Sequence, residues 1–358
     1  MQPFQPRIWK KTSLFEIDGS QKSGSGTILR LSIALAAIKQ QPLHIYNIRQ
    51  QRPRPGLKRQ HLESVITAAK LCNAKVEGAT FASRELWFTP KEILGGNIEA
   101  EIETAGNIPM LLMSVLPICI FAKNPVRLHV AKGGTDTTHA PTINYLRFVL
   151  LPTLKRMGVE AEITVQKYGY YPKGMGEATL TIKPNPSLTP VRLENFGKLK
   201  NIRGVSVCTF LADRQVAERQ AKAAKETLNQ NGYQAEIQVV NDQSNTYQKG
   251  SSIVLWAETD TGAIVGADAI GELRKTSEAV GKEAAEKLIT ELCVEPTVDV
   301  FLADMLIPYM ALANGKSVLF TKSLSEHIEA NIWLLEKMLN TKFTTKKVNN
   351  LHRIEKSS

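Results

Sequence analysis

One strand, one glycine-rich turn and one helix follow one another in the segment Leu14–Lys39, which reads LFEIDGSQKSGSGTILRLSIALAAIK. The first four residues are typical of a strand that stops at the turn Asp18-Gly19. Apolar residues then surround most of the helical surface from Ile28 to Lys39, so we expect this helix to be buried. A strand that leads into a buried helix through a short turn predicts an α/β architecture.

Patterns of the same kind and size recur through the first half of the chain. The predicted elements are strands at 43–48, 75–78, 85–88, 98–103, 126–131, 161–167 and 178–183, and helices at 57–72, 109–122 and 142–157. This recurrence predicts an α/β (α+β) fold of repeated units, each of which buries one face of a sheet under helices.

A proline-rich break, PNPSLTP at 184–190, separates these units from the second half of the chain. Strands near 204–211, 234–240 and 253–258 and a helix at 213–231 predict a small α/β insert domain, which we place at 186–279. A long helix from Thr276 to Leu292 is expected to return the chain to the first domain, which comprises 1–185 and 280–345. Residues after Lys342 are basic and carry no strong pattern, so 346–358 is expected to be a loosely held tail.

The composition is that of a globular chain with an anionic partner. Of the 358 residues, 43% are hydrophobic and 22% are charged, and no stretch approaches the roughly 18 apolar residues of a membrane span. The start, Met1–Arg7, lacks the apolar core of a signal peptide, so a cytoplasmic location is expected. The net charge of +11 favours nucleic acid as the partner, although a solvated basic surface would have the same charge.

The turn between the first strand and helix, Asp18–Thr27, has the composition of an anion-binding loop. Glycines let backbone amides approach a phosphate, the helix N-terminus adds partial positive charge, and Lys22 adds a full one. The spacing is neither that of a P-loop nor that of a dinucleotide-binding fingerprint. Alternatively, Thr27 simply caps the helix.

A second candidate segment is the basic run Arg49–Leu62, RQQRPRPGLKRQHL. Five basic residues fall between positions 49 and 59 without an acid among them. Two prolines stiffen the loop, and arginine suits bidentate phosphate contacts. The run therefore favours an anion site over a merely solvated loop.

Two loops combine small polar residues with aromatic ones. Lys132–Pro141, KGGTDTTHAP, precedes a helix that carries Tyr145, whose ring could stack on a base. Tyr168–Gly176, YGYYPKGMG, brings tyrosines beside a lysine. Exposed aromatics next to basic groups suit single-stranded nucleic acid, but tyrosines that pack a hairpin are equally common.

His327 stands where a loop gives way to a predicted helix, in Ser325–Trp333, SEHIEANIW. A neutral imidazole can attack a phosphoryl group when a partner on its other nitrogen fixes the tautomer. A histidine at a helix start is otherwise more often structural.

In their order along the chain, these segments resemble the RNA 3′-terminal phosphate cyclase family over nearly the whole length. The matching segments are Asp18–Ser20 with Ile28–Arg30, Pro55–Leu62, Glu103–Gly106, Gly133–Asp136, Tyr170–Gly174, Phe301–Asp304, and His327 before Asn331-Ile332. The resemblance implies repeated α/β units like those of the C-terminal domain of translation initiation factor three, interrupted by a small α/β insert domain.

The resemblance also implies a ligase-type nucleotidyl transferase that uses ATP and a divalent metal, Mg or Mn, on RNA ends bearing a 3′-phosphate. His327 would form a histidyl–AMP intermediate, AMP would pass to the RNA, and a 2′,3′-cyclic phosphodiester would result. The implied nucleotide-binding residues are Phe301, Leu302, Ala303, Asp304, Met305, Met113, Tyr145 and Pro141. The implied residues for the phosphates or the RNA end are Arg30, Arg49, Arg52, Gln60 and His61.

The chain departs from the family pattern at three places. Ser23–Thr27 reads SGSGT where Glu-Gly-Gly-Gly-Gln is usual, so a glutamate expected to contact the metal is missing and the metal ligands are unknown. Met113 stands in place of a glutamine, and Met305 replaces another polar residue. A non-catalytic branch of the family, acting in ribosome assembly, lacks the histidine, so His327 favours catalysis. The alternatives are an RNA-binding or ribosome-assembly factor of the same fold and, more remotely, a small-molecule transferase.

Overall fold

The computed structural model describes residues 14–357; the start Met1–Arg7, on which the cytoplasmic prediction depends, lies outside this range. The first unit alternates strands and helices in the order β1 (Phe15–Asp18), α1 (Gly26–Lys39), β2 (Leu43–Tyr46), α2 (Arg59–Cys72), β3 (Lys75–Glu77) and β4 (Leu86–Thr89). The strand order in the sheet is β1-β2-β4-β3. β1 and β2 are parallel, whereas β4 pairs antiparallel with both of its neighbours.

The second unit repeats this arrangement. Its elements are β5 (Gly96–Glu101), α3 (Ile108–Ile120), β6 (Val126–Gly133), α4 (Ile143–Tyr145), a π-helical turn (Leu146–Leu150), α5 (Leu151–Arg156), β7 (Glu160–Lys167) and β8 (Gly176–Lys183). The strand order β5-β6-β8-β7, with one parallel and two antiparallel pairs, matches that of the first unit. The predicted α/β class with repeated units is confirmed.

The insert forms its own sheet and its own apolar core. Its elements are β9 (Leu199–Thr209), a 3₁₀ turn (Ala212–Arg214), α6 (Val216–Gln230), β10 (Ala235–Asp242), β11 (Gly250–Thr259), β12 (Ile264–Ile270) and α7 (Ser277–Leu292). The prediction that the last helix returns to the first domain is wrong. α7 packs on α6, β11 and β12, because its apolar face (Val280, Ala284 and Leu288 among others) closes the insert core.

The third unit contains α8 (Val300–Leu312), β13 (Ser317–Thr321), α9 (Glu326–Leu339), β14 (Phe343–Val348) and β15 (Leu351–Lys356). The sheet order is β13-β15-β14. Val191 and Leu193, which precede the insert, exchange backbone hydrogen bonds with Val318 of β13. These residues take the place of a first parallel strand, so the insert interrupts the third unit between its first strand and its helix.

The prediction of a loosely held tail is wrong for residues 346–356. They belong to the hairpin β14–β15, in which β15 also pairs with β13 and Ile354 is fully buried. Without this hairpin the third unit would have no antiparallel pair, so the C-terminal segment is part of the fold.

Helices from the three units pack together at the centre. α1 contacts α2, α3 and α9, and α8 contacts α3 and α9. The N-terminal ends of α1, α2 and α9 consequently lie close to the middles of α3 and α8. Among residues 14–357, no helix is both long and apolar enough to cross a membrane.

Candidate active site

A cleft of about 1080 Å³ opens where these helix ends meet the insert. Twelve of the residues that the sequence nominated line it: Arg30, Arg49, Arg52, Gln60, His61, Met113, Pro141, Tyr145, Phe301, Asp304, Met305 and His327. Leu302 and Ala303 do not, because their side chains are fully buried in the core beneath α8. Lys22 of the glycine-rich turn is exposed and lies outside the cleft.

His327 is held at the first turn of α9. The Ser325 hydroxyl caps this helix by accepting a 3.1 Å hydrogen bond from the amide of Ile328. The Nδ1 atom of His327 lies 3.4 Å from the Oγ1 atom of Thr27, which also accepts a 3.3 Å hydrogen bond from Arg30. When Nδ1 carries the ring proton and donates a hydrogen bond to Thr27, the Nε2 atom is unprotonated and its lone pair is available.

The surroundings of His327 favour its neutral form. The ring is half-buried, and this desolvation lowers its pKa below the usual value of 6.5. The positive charges of Arg30 and Arg52 lower the pKa further, against the opposing effect of Glu326. An unprotonated imidazole at neutral pH is the form that can act as a nucleophile.

Arg30 and Asp304, which both line the cleft, influence each other electrostatically. Burial lowers the pKa of Arg30 to about 10, and the charge of Asp304 opposes that shift. Burial raises the pKa of Asp304 to about 7, against the effect of Arg30. Asn331, one turn after His327, donates a 2.7 Å hydrogen bond to Oδ1 of Asp304 and so ties α9 to α8.

His61 is buried against the start of α1. Its Nδ1 atom accepts a 3.3 Å hydrogen bond from the amide of Lys58, so the neutral ring carries its proton on Nε2. Desolvation, and then Arg30, Arg49 and Lys58, lower its pKa well below the usual value. A Cβ atom at Gly26 would collide with the Nε2 atom, so the ring depends on a glycine at this position.

The basic loop is held by one of its own arginines. Arg49 adopts a left-handed backbone with φ of 55°, and its Nη1 atom donates 2.8 Å hydrogen bonds to the carbonyls of Arg54 and Gly56. The loop therefore presents Arg52, Arg54 and Lys58 to the cleft in a fixed arrangement. Burial, followed by the charges of the three arginines, lowers the pKa of Lys58. Such a concentration of cations suits a polyanion.

Gln60 supports the wall of the cleft. Its Oε1 atom accepts a 3.1 Å hydrogen bond from the amide of Asn107, and the Asn107 side chain donates to Thr137 at 3.0 Å. One end of the Gln60 amide therefore fixes the turn before α3, while its NH₂ group takes no part in that contact and can donate toward the cleft.

Part of the cleft lining is apolar. Met113 and Met305 face it together with Pro141 and the ring of Tyr145, while Phe301 is 61% exposed at the edge. The Tyr145 hydroxyl is engaged elsewhere, since it donates a 2.6 Å hydrogen bond to Asp299. An aromatic ring among apolar side chains suits a planar base.

The described residues of the cleft form no site in which three or more side chains would hold a divalent metal. Ser23, where a glutamate is usual, is paired with Ser25 at 2.9 Å between their hydroxyl oxygens. Over residues 14–357 there is no group of three or more His, Cys, Asp or Glu side chains arranged to hold an ion. The expected metal ligands are therefore not found among these side chains.

Sequence reasoning missed several residues of the cleft. Thr27 was considered as a cap, but Ser25 caps α1, which frees the Thr27 hydroxyl for His327. Asn331 was quoted only as part of a matching segment, and its contact with Asp304 of another helix was not predicted. Arg54 and Lys58 lay in the quoted basic run but were not singled out.

Known proteins are similar to this chain over most of its length. A family model described as RNA 3′-terminal phosphate cyclase matches residues 21–345. The RNA 3′-terminal phosphate cyclase of Pyrobaculum aerophilum is 42% identical over 329 residues, covering 92% of this chain and 94% of the relative. That of Pyrobaculum neutrophilum is 43% identical over 339 residues, covering 95% and 97%. That of Methanopyrus kandleri is 41% identical over 336 residues, covering 91% and 94%.

Proposed function

The chain belongs to the RNA 3′-terminal phosphate cyclase family, and from this premise we propose that it uses ATP to convert an RNA 3′-phosphate into a 2′,3′-cyclic phosphodiester through His327. One observation carries the proposal. His327 is half-buried, is held through Nδ1 near Thr27, and has a pKa lowered by burial and by Arg30 and Arg52. The ring is thus neutral at the edge of a cleft lined by cations.

The first proposed step forms a bond between Nε2 of His327 and the α-phosphorus of ATP. The bond from that phosphorus to the β-phosphate bridging oxygen breaks, and pyrophosphate leaves with the electron pair. The Nδ1 proton can stay on the ring, because Thr27 accepts it in a hydrogen bond. Splitting the reaction through a covalent histidine replaces one difficult displacement with easier ones.

In the second step an oxygen of the RNA 3′-phosphate attacks the same α-phosphorus, and the bond to His327 breaks. In the third step the neighbouring 2′-hydroxyl attacks the activated 3′-phosphorus, AMP leaves, and the hydroxyl proton passes to solvent or base. A phosphate monoester has a poor leaving group, and AMP provides a good one. The RNA substrate must therefore carry both a 3′-phosphate and a free 2′-hydroxyl.

The cationic and the apolar residues of the cleft have separate proposed tasks. Arg30, Arg49, Arg52 and His61, with Gln60 as the support of the adjoining wall, would hold phosphate groups and the RNA end. Met113, Met305, Pro141, Tyr145 and Phe301 would enclose the adenine, and Asp304 would orient Arg30. Leu302 and Ala303 would act only by packing α8, because their side chains do not reach the cleft.

The test is a cyclisation assay on an RNA oligonucleotide with a 3′-phosphate. We expect an ATP-dependent product that resists phosphatase, and no product from a 3′-hydroxyl or a 2′-deoxy 3′-terminal substrate. Tight, salt-sensitive RNA binding without any ATP-dependent product would instead favour the RNA-binding or assembly factor. A cytoplasmic location remains a prediction.

A further inference from the structure

Two exposed tyrosines mark a surface outside the cleft. Tyr171 is 76% exposed and Tyr247 is 61% exposed, values far from those of core aromatics. They lie on different loops, one before β8 in the second unit and one before β11 in the insert. Lys173 and Lys249, two positions along the chain from each tyrosine, are also exposed, and none of the ion pairs within residues 14–357 includes them.

Buried contacts hold the two loops together. The side chain of Asn245, which is 1% exposed, donates 2.7 Å and 3.0 Å hydrogen bonds to the carbonyls of Tyr168 and Gly174. The amide of Lys173 donates to Oε1 of Gln248 at 3.4 Å. The exposed tyrosines are therefore presented by a fixed junction between the second unit and the insert.

The neighbouring tyrosine shows why Tyr171 points outward. Tyr170 is 3% exposed, and its ring lies so close to Gly250 that a Cβ atom there would overlap it. Its hydroxyl lies 3.5 Å from Oγ1 of Thr209. Tyr170 therefore anchors the loop on the insert. The ring of Tyr171, which is largely exposed, contributes little to packing within residues 14–357.

The loop that carries Tyr171 is joined to the wall of the cleft by backbone contacts. Tyr170 pairs with Asp136, and Thr138, two residues later, already lines the cleft. On the other side, a Cβ atom at Gly174 would lie 2.9 Å from Cα of Ala105, in the turn that Gln60 holds through Asn107. An RNA strand that left the cleft beside Gln60 and Thr138 would therefore reach the loop of Tyr171 next.

We propose that Tyr171 and Tyr247, with Lys173 and Lys249, bind the single-stranded RNA upstream of the 3′ end by stacking on its bases and pairing with its phosphates. Aromatic rings beside unpaired cations suit a single strand of any sequence, because every base has a stacking face. This inference rests on the proposed function, since it takes the RNA 3′ end to lie in the cleft.

The experiment compares 3′-phosphorylated RNAs of two and of twelve nucleotides. In the variant Tyr171→Ala/Tyr247→Ala, we expect KM for the longer RNA to rise about tenfold or more. The KM for the dinucleotide and the rate of histidine adenylylation should stay unchanged. Tyr171→Phe/Tyr247→Phe, which keeps both rings, should behave as the wild type, and Lys173→Gln/Lys249→Gln should weaken the salt dependence of binding.

A direct measurement of RNA binding tests the proposed surface independently of catalysis. Fluorescence anisotropy with an unphosphorylated single-stranded twelve-nucleotide RNA should show weaker binding by the double alanine variant and normal binding by the double phenylalanine variant. Equal binding and equal KM for the wild type and the alanine variant would overturn the RNA surface while leaving the cyclase proposal intact. If the wild-type protein did not cyclise RNA but the difference in anisotropy between the variants remained, only the cyclase proposal would be overturned.

Discussion

The Nδ1 atom of His327 lies 3.4 Å from the Oγ1 atom of Thr27, a residue 300 positions earlier in the chain. The contact joins the N-terminal ends of α1 and α9, two helices from different units that pack against each other. Arg30, one turn further along α1, donates to the same hydroxyl. The orientation of the imidazole therefore depends on the packing of the first unit on the third.

Replacing Thr27 tests this orientation. Thr27→Val keeps the shape of the side chain but removes the acceptor, so we expect histidine adenylylation to slow by roughly tenfold at most, since such a hydrogen bond contributes about 0.5–1.5 kcal/mol. Thr27→Ser retains the hydroxyl and should restore most of the rate. Single-turnover labelling with ATP measures both. A valine variant as fast as the serine variant would show that the contact does not position the ring.

The pKa of His327 should respond to its cationic neighbours. Because Arg52 lowers this pKa, Arg52→Gln is expected to raise it. The ring should then lose its proton at a higher pH than in the wild type. The measurement is an NMR titration of nucleotide-free protein, with the His327 signal assigned by its loss in His327→Gln. A matched Arg192→Gln variant, outside the cleft, controls for net charge. An unchanged or lower pKa in Arg52→Gln would refute the electrostatic account.

Asp304 should make stability depend on pH. Its folded pKa is about 7 and its reference value is 3.8, so the folded state holds this proton more tightly than the unfolded state. The free energy of unfolding should therefore fall as pH rises from about 4 to 7, relative to Asp304→Asn, which cannot titrate. Urea unfolding at several pH values measures the difference. Parallel pH profiles for the two proteins would contradict the raised pKa.

The close approach of His61 to α1 predicts a rescue. Gly26→Ala places a Cβ atom against the His61 ring and should destabilise the protein by about 1–3 kcal/mol through overpacking. In a His61→Ala background the two nearest atoms are gone and only Nη1 of Arg30, the far end of a flexible side chain, remains within 2.9 Å, so the same substitution should cost much less. The four proteins of this cycle are compared by urea unfolding. If Gly26→Ala lowered the free energy of unfolding equally with and without the His61 ring, contact with that ring would not be the cause.

Local patterns predicted most elements of the fold because each unit carries its own apolar periodicity. The hairpin β14–β15 was not predicted. β14 is largely exposed and contains Lys346 and Lys347, and Ile354 of β15 is the one apolar residue of the two strands that is fully buried. α7 was recognised as a helix but misplaced. Its apolar face fits any core of suitable shape, and only the packed insert shows which core receives it.

The cleft was predictable where residue types carried chemistry in sequence. The basic loop was found in this way, whereas His327 was assigned a role by the family resemblance, since a histidine at a helix start is more often structural. The contacts of Thr27 with His327 and of Asn331 with Asp304 were not predicted, because they form only when α1, α8 and α9 come together. Leu302 and Ala303 show the converse, since a matching motif included neighbours that merely pack the helix.

The central claim is that His327 becomes covalently linked to AMP. The protein is incubated with ATP labelled at the α-phosphate, and the labelled species is treated with acid and with alkali and mapped by mass spectrometry of peptides. We predict one AMP per chain on His327, labile to acid and stable to alkali, and no label on His327→Ala or with ATP labelled at the γ-phosphate. Label that persists in His327→Ala, or cyclisation by that variant at the wild-type rate, would contradict the account.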